Sequence, residues 1–463
     1  MPVAGMPLFG YLPAWRRPFR PTVRPFPYPI LMRKILIISP HYPPSNLAAV
    51  HRTRLFALHL PDFGWEPHIL TVHERYYEER LDPDLCRLLP AGQHVYTCRA
   101  FPVTRPRLVG DIGLRGFVFL FMAARRILRI RRIDLLYIPI PSFYGALLGR
   151  LLHATTGIPY GIDYIDPWVQ VFPGSDRTFS RHWWSTLLSG MLEPIAVRRA
   201  AWITGVAEGY YKGVQQRNPR LLRTCRFGAM PYGGEANDHE ALSGISREAY
   251  LFREGGRFRF VYAGALLPKA HAPLDAIFRA IAASRADFAD VEFHFIGTGL
   301  RPNDPASYTV RPHAERHGLW GTVVYEHASR IPYLDVLIHL AAADAVFILG
   351  STEPHYTPSK TYQAVLSGKP ILAVLHAEST AVGILRQTGA GRVLDFPGEA
   401  GVAAIGDAFA ETCRSFRAFA RAFDPLQVDR KAFEAFSARE VTRQLAVLLD
   451  QVADGHPDQV ATA

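Results

Sequence analysis

Two lysines, a set of glycine turns and one aspartate stand where this chain can do chemistry. Gly264 and Lys269 follow an apolar run over 258–263, Gly297-Thr298-Gly299 follows 291–296, and Gly350-Ser351-Thr352-Glu353 follows 345–349. Pro358-Ser359-Lys360 then opens a helical stretch. Glycine lets a backbone approach a ligand closely, and a helix start offers unpaired N–H groups at a positive dipole end. Two lysines add point charges. The ligand that uses all of these is a diphosphate, whose departure as a leaving group needs positive charge in the transition state.

Neighbouring patterns exclude other anion sites. Gly368-Lys369 is followed by Pro370, with Gln363 where a phosphate-binding P-loop has its first glycine. Gly297-Thr298-Gly299 has Pro302 in place of the third glycine of a dinucleotide fingerprint. In the first half, Asp166 ends an apolar run at 160–165 and precedes Pro167-Trp168, which suits a cleft carboxylate acting as base or acceptor ligand, and equally a loop or helix cap. Neither His41, His51 and His313 nor the four scattered cysteines have the spacing of a metal site, and none is expected.

Such residues need a scaffold that presents strand ends side by side. From Lys34 onward short β-branched runs alternate with longer segments of helical period, the pattern of parallel βαβ units. Strands are expected at 35–39, 69–72, 95–98, 135–140, 160–165 and 203–206, then at 258–263, 291–296, 323–325, 345–349, 371–374 and 392–395. Their runs are apolar throughout, as when helices cover both faces of a sheet. The chain of 463 residues is long enough for two domains. The fold class is therefore α/β, with two doubly wound, Rossmann-like domains facing a cleft. The boundaries are 1–32, a basic Pro-rich extension that is disordered or precedes the translation start; 33–235, the first domain; 236–257, a linker with little to bury; 258–425, the second domain; and 426–463, a C-terminal helix and tail. Apolar positions in 433–452 make that helix amphipathic, able to pack back on the first domain.

Charge is unevenly spread. Residues 1–250 hold 31 Lys and Arg against 18 Asp and Glu, whereas 251–463 hold 21 against 23. The basic half suits an anionic partner or surface. No nucleic-acid-binding motif accompanies it, so nucleic acid is not expected. Residues 112–132 mix Phe117, Leu120 and Phe121 with six arginines, which fits either a core helix with a basic end or a helix lying on a membrane surface. With no signal sequence and no apolar run of about 20 residues, the expected home is the cytoplasm, with peripheral contact at the inner face of a membrane.

Taken in order, Tyr262-Ala263-Gly264 with Lys269, Phe295 to Gly299, and Pro358 to Gln363 with Ser367-Gly368-Lys369-Pro370 resemble the donor domain of family-4 glycosyltransferases. Tyr42-Pro43-Pro44, the stretch from Asp163 to Trp168, the run from Glu193 to Glu208, and Pro231-Tyr232-Gly233 resemble the acceptor domain. The resemblance spans roughly 33–450. It implies the GT-B architecture and retaining transfer from a nucleotide-diphosphate sugar to a glycan or lipid-linked acceptor in surface polysaccharide synthesis, with no metal or other cofactor. It also implies a donor site of Gly264, Lys269, Gly297, Gly299, Glu353, Ser359, Lys360 and Gln363, with Lys269 and Lys360 on the diphosphate. Asp166 becomes the catalytic residue, and Ser45, Asn46, Asp163 and Trp168 the acceptor side.

Two departures stand out. Many members carry two glutamates eight positions apart; here Gln363 and His355 occupy those places, with Glu353 two residues off. The arginine common after Gly264 is replaced by Ala265 and Leu266. They motivate a second function class, a sugar-nucleotide-binding or scaffold protein that keeps the shell with impaired turnover. Sugar-nucleotide epimerisation on the same shell is a minor alternative.

Overall fold

The computed structural model describes residues 32–104, 110–140, 142–169, 180–252, 255–299, 301, 304–354 and 356–455. The extension at 1–31 and His355 lie outside the described residues. The first domain runs β1 (Arg33–Ile38), α1 (Ala48–His59), β2 (Trp65–Val72), β3 (His94–Cys98), α2 (Ile112–Ile130), β4 (Leu135–Pro139), α3 (Tyr144–Thr156), β5 (Tyr160–Tyr164), α4 (Arg181–Val197), β6 (Trp202–Gly205), α5 (Glu208–Arg217), α6 (Leu221–Thr224) and β7 (Arg226–Ala229). A short helix, α7 (Ala236–Glu240), bridges to the second. There follow β8 (Phe258–Ala263), α8 (His271–Ala283), β9 (Val291–Ile296), α9 (Arg311–Arg316), β10 (Val324–His327), α10 (Tyr333–Ala342), β11 (Ala345–Leu349), α11 (Lys360–Leu366), β12 (Ile371–His376), α12 (Thr380–Thr388) and β13 (Gly391–Phe396). Helices α13 (Val402–Arg421), α14 (Arg430–Glu434) and α15 (Ala438–Ala453) close the described chain.

Both sheets are parallel and doubly wound. The first has the order β3-β2-β1-β4-β5-β6-β7 and the second β10-β9-β8-β11-β12-β13. Strand order therefore reverses between β1 and β4 and again between β8 and β11. At such a switch point the loops leave in opposite directions and open a crevice at the carboxyl ends of the strands. The sheets are buried on both faces: Ile35 to Ile38 are at most 1% exposed, and all six residues of β9 are buried. Each domain accordingly has two apolar layers, one per sheet face.

The last helix does return to the first domain. Val441, Leu445, Leu448 and Leu449 of α15 share an apolar cluster with Ile35, Phe56 and Trp65. Asp450 accepts hydrogen bonds from Arg33 and from the Trp65 indole, each at 3.1 Å. Burying each leucine side chain stabilises this docking by about 1.5–3 kcal/mol. The bridge between domains differs from expectation. Leu242, Ile245, Leu251 and Phe252, with Tyr232 ahead of them, are partly buried against the second domain's core, and Asp238 of α7 is buried, so this segment is docked on the second domain while much of it stays exposed. Among the described residues, no helix is long and apolar enough to cross a membrane.

Candidate functional site

A cavity of about 510 Å³ lies between the two switch points. The first domain contributes the loop after β1 with the start of α1 (Asn46, His51, Arg54), the turn after β5 (Ile165, Asp166), and Tyr210 and Tyr232. The second contributes Gly264, Gly297, Arg330, Tyr356, Ser359, Lys360 and Gln363.

Lys360 is the centre of its second-domain wall. Its stem lines the cavity while Nζ is shut off from water and, among the described residues, has no hydrogen-bond partner. The ammonium sits over the Tyr262 ring, 3.5 Å from the centroid. Burial lowers its pKa to about 7, because water no longer solvates the charge. Gly264 makes room for it: at φ 122° this residue is in a conformation that disfavours side chains, and a Cβ there would stand 3.3 Å from Nζ. Gly264 N–H donates to the Ile296 carbonyl at 2.8 Å, which ties the ends of β8 and β9 together and brings Gly297 into the same wall. Helix α11 has seven residues, so its dipole adds little and the lysine itself is the charge.

Asp166 faces this wall. Water reaches it through the cavity, yet protein surrounds it on most sides, and the loss of solvation raises its carboxyl to about 6. The phenols of Tyr210 and Tyr356 are pushed up, chiefly by burial and next by the Asp166 charge, so both stay neutral donors. Gln363 accepts a hydrogen bond from His239 Nε2 at 2.8 Å, which holds its amide in place at the cavity edge.

Other expected residues lie elsewhere. Lys269 does not line the cavity; its ammonium pairs with the Glu353 carboxylate at 3.2 Å, and both side chains are substantially exposed. The two lysines therefore do not converge, because Glu353 offers one of them a partner in the ligand-free chain. Gly299 packs its backbone against the carbonyls of Ala328 and Ser307, each 2.8 Å from where its Cβ would be, so it fixes the loop and is not on the cavity wall. Asp163 is fully buried, bound by the guanidinium of Arg52 (2.8 Å from Nη2) and the hydroxyl of Thr204 (2.7 Å), and offers no surface to an acceptor. Trp168 is buried and stacked on Phe143, 5.7 Å between centroids. Ser45 is buried against the Glu79 carboxylate. Asn46 alone of the acceptor-side set except Asp166's own loop reaches the cavity, and it spans the cleft: its amide donates to the Ile331 carbonyl at 3.2 Å, and its carbonyl accepts from Arg330 at 3.1 Å.

Arg330 is the residue that sequence reasoning missed. It lies beside Gly297 and donates to the Asn46 backbone carbonyl, and burial lowers its pKa while the Glu79 charge acts to raise it. Its signal was present, since it follows β10 as Gly264 follows β8. His51, also on the wall, is held neutral by burial with its pKa lowered to about 3, and its Nε2 is 3.2 Å from the Asn46 side chain. Among the described residues, one group could hold a metal ion: Glu66, His68 and His94, whose ligand atoms lie within 4.8 Å of one another. It stands at the starts of β2 and β3, the end of the sheet opposite the cavity, where Glu66 already pairs with Lys34 at 3.5 Å.

Solved structures share this whole architecture. The Anabaena protein HepE, in complex with UDP and glucose, aligns with a TM-score of 0.58 at 16% identity over 90% of this chain and all of its own. A sucrose-phosphate synthase from Thermosynechococcus elongatus aligns at 0.59, with 13% identity over 92% of this chain and all of its own. The chain has the GT-B fold. Another GT-B structure, a UDP-forming α,α-trehalose-phosphate synthase from Burkholderia vietnamiensis, aligns at 0.61 with 13% identity over 92% of this chain and 100% of its own. No protein-family model and no curated protein sequence matches the chain.

Proposed function

We propose that the protein is a glycosyltransferase whose donor is a nucleotide-diphosphate sugar bound with its diphosphate on Lys360. The carrying observation is an ammonium group without a hydrogen-bond partner among the described residues, beside a glycine backbone, across an open cleft from a carboxylate. A buried cation in that state is costly, and an anionic ligand relieves the cost. HepE has been crystallised with UDP and glucose and with UDP-glucose, which supports a uridine donor as the first to try.

In this reading the bond from the anomeric carbon to the β-phosphate oxygen breaks while the acceptor oxygen bonds to that carbon. Protonated Lys360 offsets the charge developing on the leaving diphosphate, and Arg330 stands close enough to the same wall to share it. Asp166, ionised above about pH 6, accepts the hydrogen bond of the acceptor hydroxyl and carries its proton to solvent. Gln363 bonds the ribose through its amide. Retention of configuration, a glycan or lipid-linked acceptor and a role in surface polysaccharide synthesis rest on the family-4 resemblance, and work at the inner face of a membrane rests on the basic first half and the apolar, arginine-rich stretch 112–132.

A second reading has its own observation. Glu353 is engaged by Lys269 and Gln363 by His239, so two donor positions already have protein partners. That favours a protein that binds sugar nucleotide with little turnover. Transfer from a panel of nucleotide sugars, measured beside their binding by calorimetry, separates the two: binding with transfer supports the enzyme, binding alone the scaffold, and neither removes both.

A further inference from the structure

Helix α4 has its polarity reversed. Its buried face carries Glu193, held by Arg217 at 2.8 Å, together with Ala196 and Val197, while Leu187, Leu188, Met191 and Ile195 face solvent. Met191 is 63% and Ile195 54% exposed, and together with Leu187 and Leu188 they form a contiguous patch, unlike apolar side chains exposed singly. The spacing runs i, i+1, i+4 and i+8, one stripe along the helix. Helices α2 and α4 flank α3 on the same face of the first sheet, and α2 adds a second exposed stripe at Leu114, Val118 and Met122.

Charge decides what covers this face. The three helices contain a single acidic residue, the buried Glu193. Arg126, Arg129, Arg131, Arg132, Arg198 and Arg199 are exposed at the helix ends, and among the described residues none of them has a carboxylate within ion-pair distance. Two copies meeting through this face about a twofold axis would set arginine rows among arginine rows with no acid to separate them. An anionic bilayer supplies both halves of the match, headgroup phosphates for the guanidinium groups and the acyl boundary for the apolar stripes.

We propose that the α2–α3–α4 face docks on the surface of an anionic membrane, with α4 lying in the interface and not crossing it. The inference does not depend on the sugar-transfer reading.

The test is flotation of the full chain with vesicles. Wild type is expected to bind mixed phosphatidylcholine–phosphatidylglycerol vesicles at least about tenfold more tightly than pure phosphatidylcholine, with binding weakened by salt. Leu188→Ser, Met191→Ser and Ile195→Ser combined remove exposed side chains only and should lower binding about tenfold or more. Arg198→Glu with Arg199→Glu is a second, independent variant with the same expected direction. Asp166→Asn should float as wild type does, which separates this inference from the fate of the catalytic one. Absence of wild-type binding, or equal binding by both variants, overturns the proposal. So does a wild-type dimer in solution that the triple variant abolishes.

Discussion

The Lys360 ammonium lies 3.5 Å from the centre of the Tyr262 ring and, among the described residues, has no hydrogen-bond partner. The aromatic face offsets a part of the lost hydration, worth about 2 kcal/mol when both groups are desolvated. That is less than the cost of burying an ammonium group, so the charged form of Lys360 lowers the stability of the fold.

A pH dependence of stability follows. Unfolded, Lys360 titrates near 10.5; folded, near 7. Between those values the unfolded chain binds a proton that the folded chain does not, so stability rises with pH across this window, and the penalty is full below it. Lys360→Met is expected to be more stable than wild type at and below neutral pH, with the two converging towards pH 10.5. Urea unfolding across that range checks both sign and window.

Asp166→Asn is expected to lower turnover by about 10²–10⁴-fold while leaving donor affinity within about twofold. The carboxyl is raised to about 6, and only its ionised form can take a proton, so kcat at saturating donor should climb with pH through about 6 and then level, while kcat/KM falls again above about 7 as free Lys360 loses its proton. A rate–pH profile and calorimetric donor binding test the two halves separately.

Arg52→Ala leaves the buried Asp163 carboxylate without its guanidinium and opens the Met230 carbonyl, which Arg52 Nη1 reaches at 2.6 Å. The expected loss is about 3–5 kcal/mol of stability. Chemical denaturation measures it.

Leu445→Ala removes a fully buried side chain between α15 and the first sheet, at an expected cost of about 2–5 kcal/mol. Since α15 follows the second domain in sequence yet packs on the first, limited proteolysis should release the C-terminal segment from this variant sooner than from wild type.

The alternating pattern was legible because parallel strands buried on both faces are written as unbroken apolar runs, as in 35–38 and 345–349. Strand β7, Arg226–Ala229, escaped: it is a four-residue, half-buried edge strand with an arginine and a glycine in it. The bridge at 232–256 read as polar because its five packing side chains are spread among glycines and charges without a period. Lys269 and Lys360 look alike in sequence; only the fold reveals that one has Glu353 within reach and the other has a tyrosine face. Gly299 and Asp163 belong to the landmark motifs, but what they hold is backbone and arginine. The exposed stripe of α4 was hidden for a general reason. Periodicity tells which residues share a face and is silent on whether that face is covered.

Binding of a nucleotide-diphosphate sugar to wild type and to Lys360→Met, titrated by calorimetry near pH 7, tests the central claim most directly. The account predicts that the variant loses about ten- to a hundredfold in affinity, since a charge-assisted contact to phosphate is worth about 1.5–3 kcal/mol. It also predicts proton uptake by wild type on binding, absent in the variant. Equal affinity in the two proteins, with no proton taken up, would contradict it.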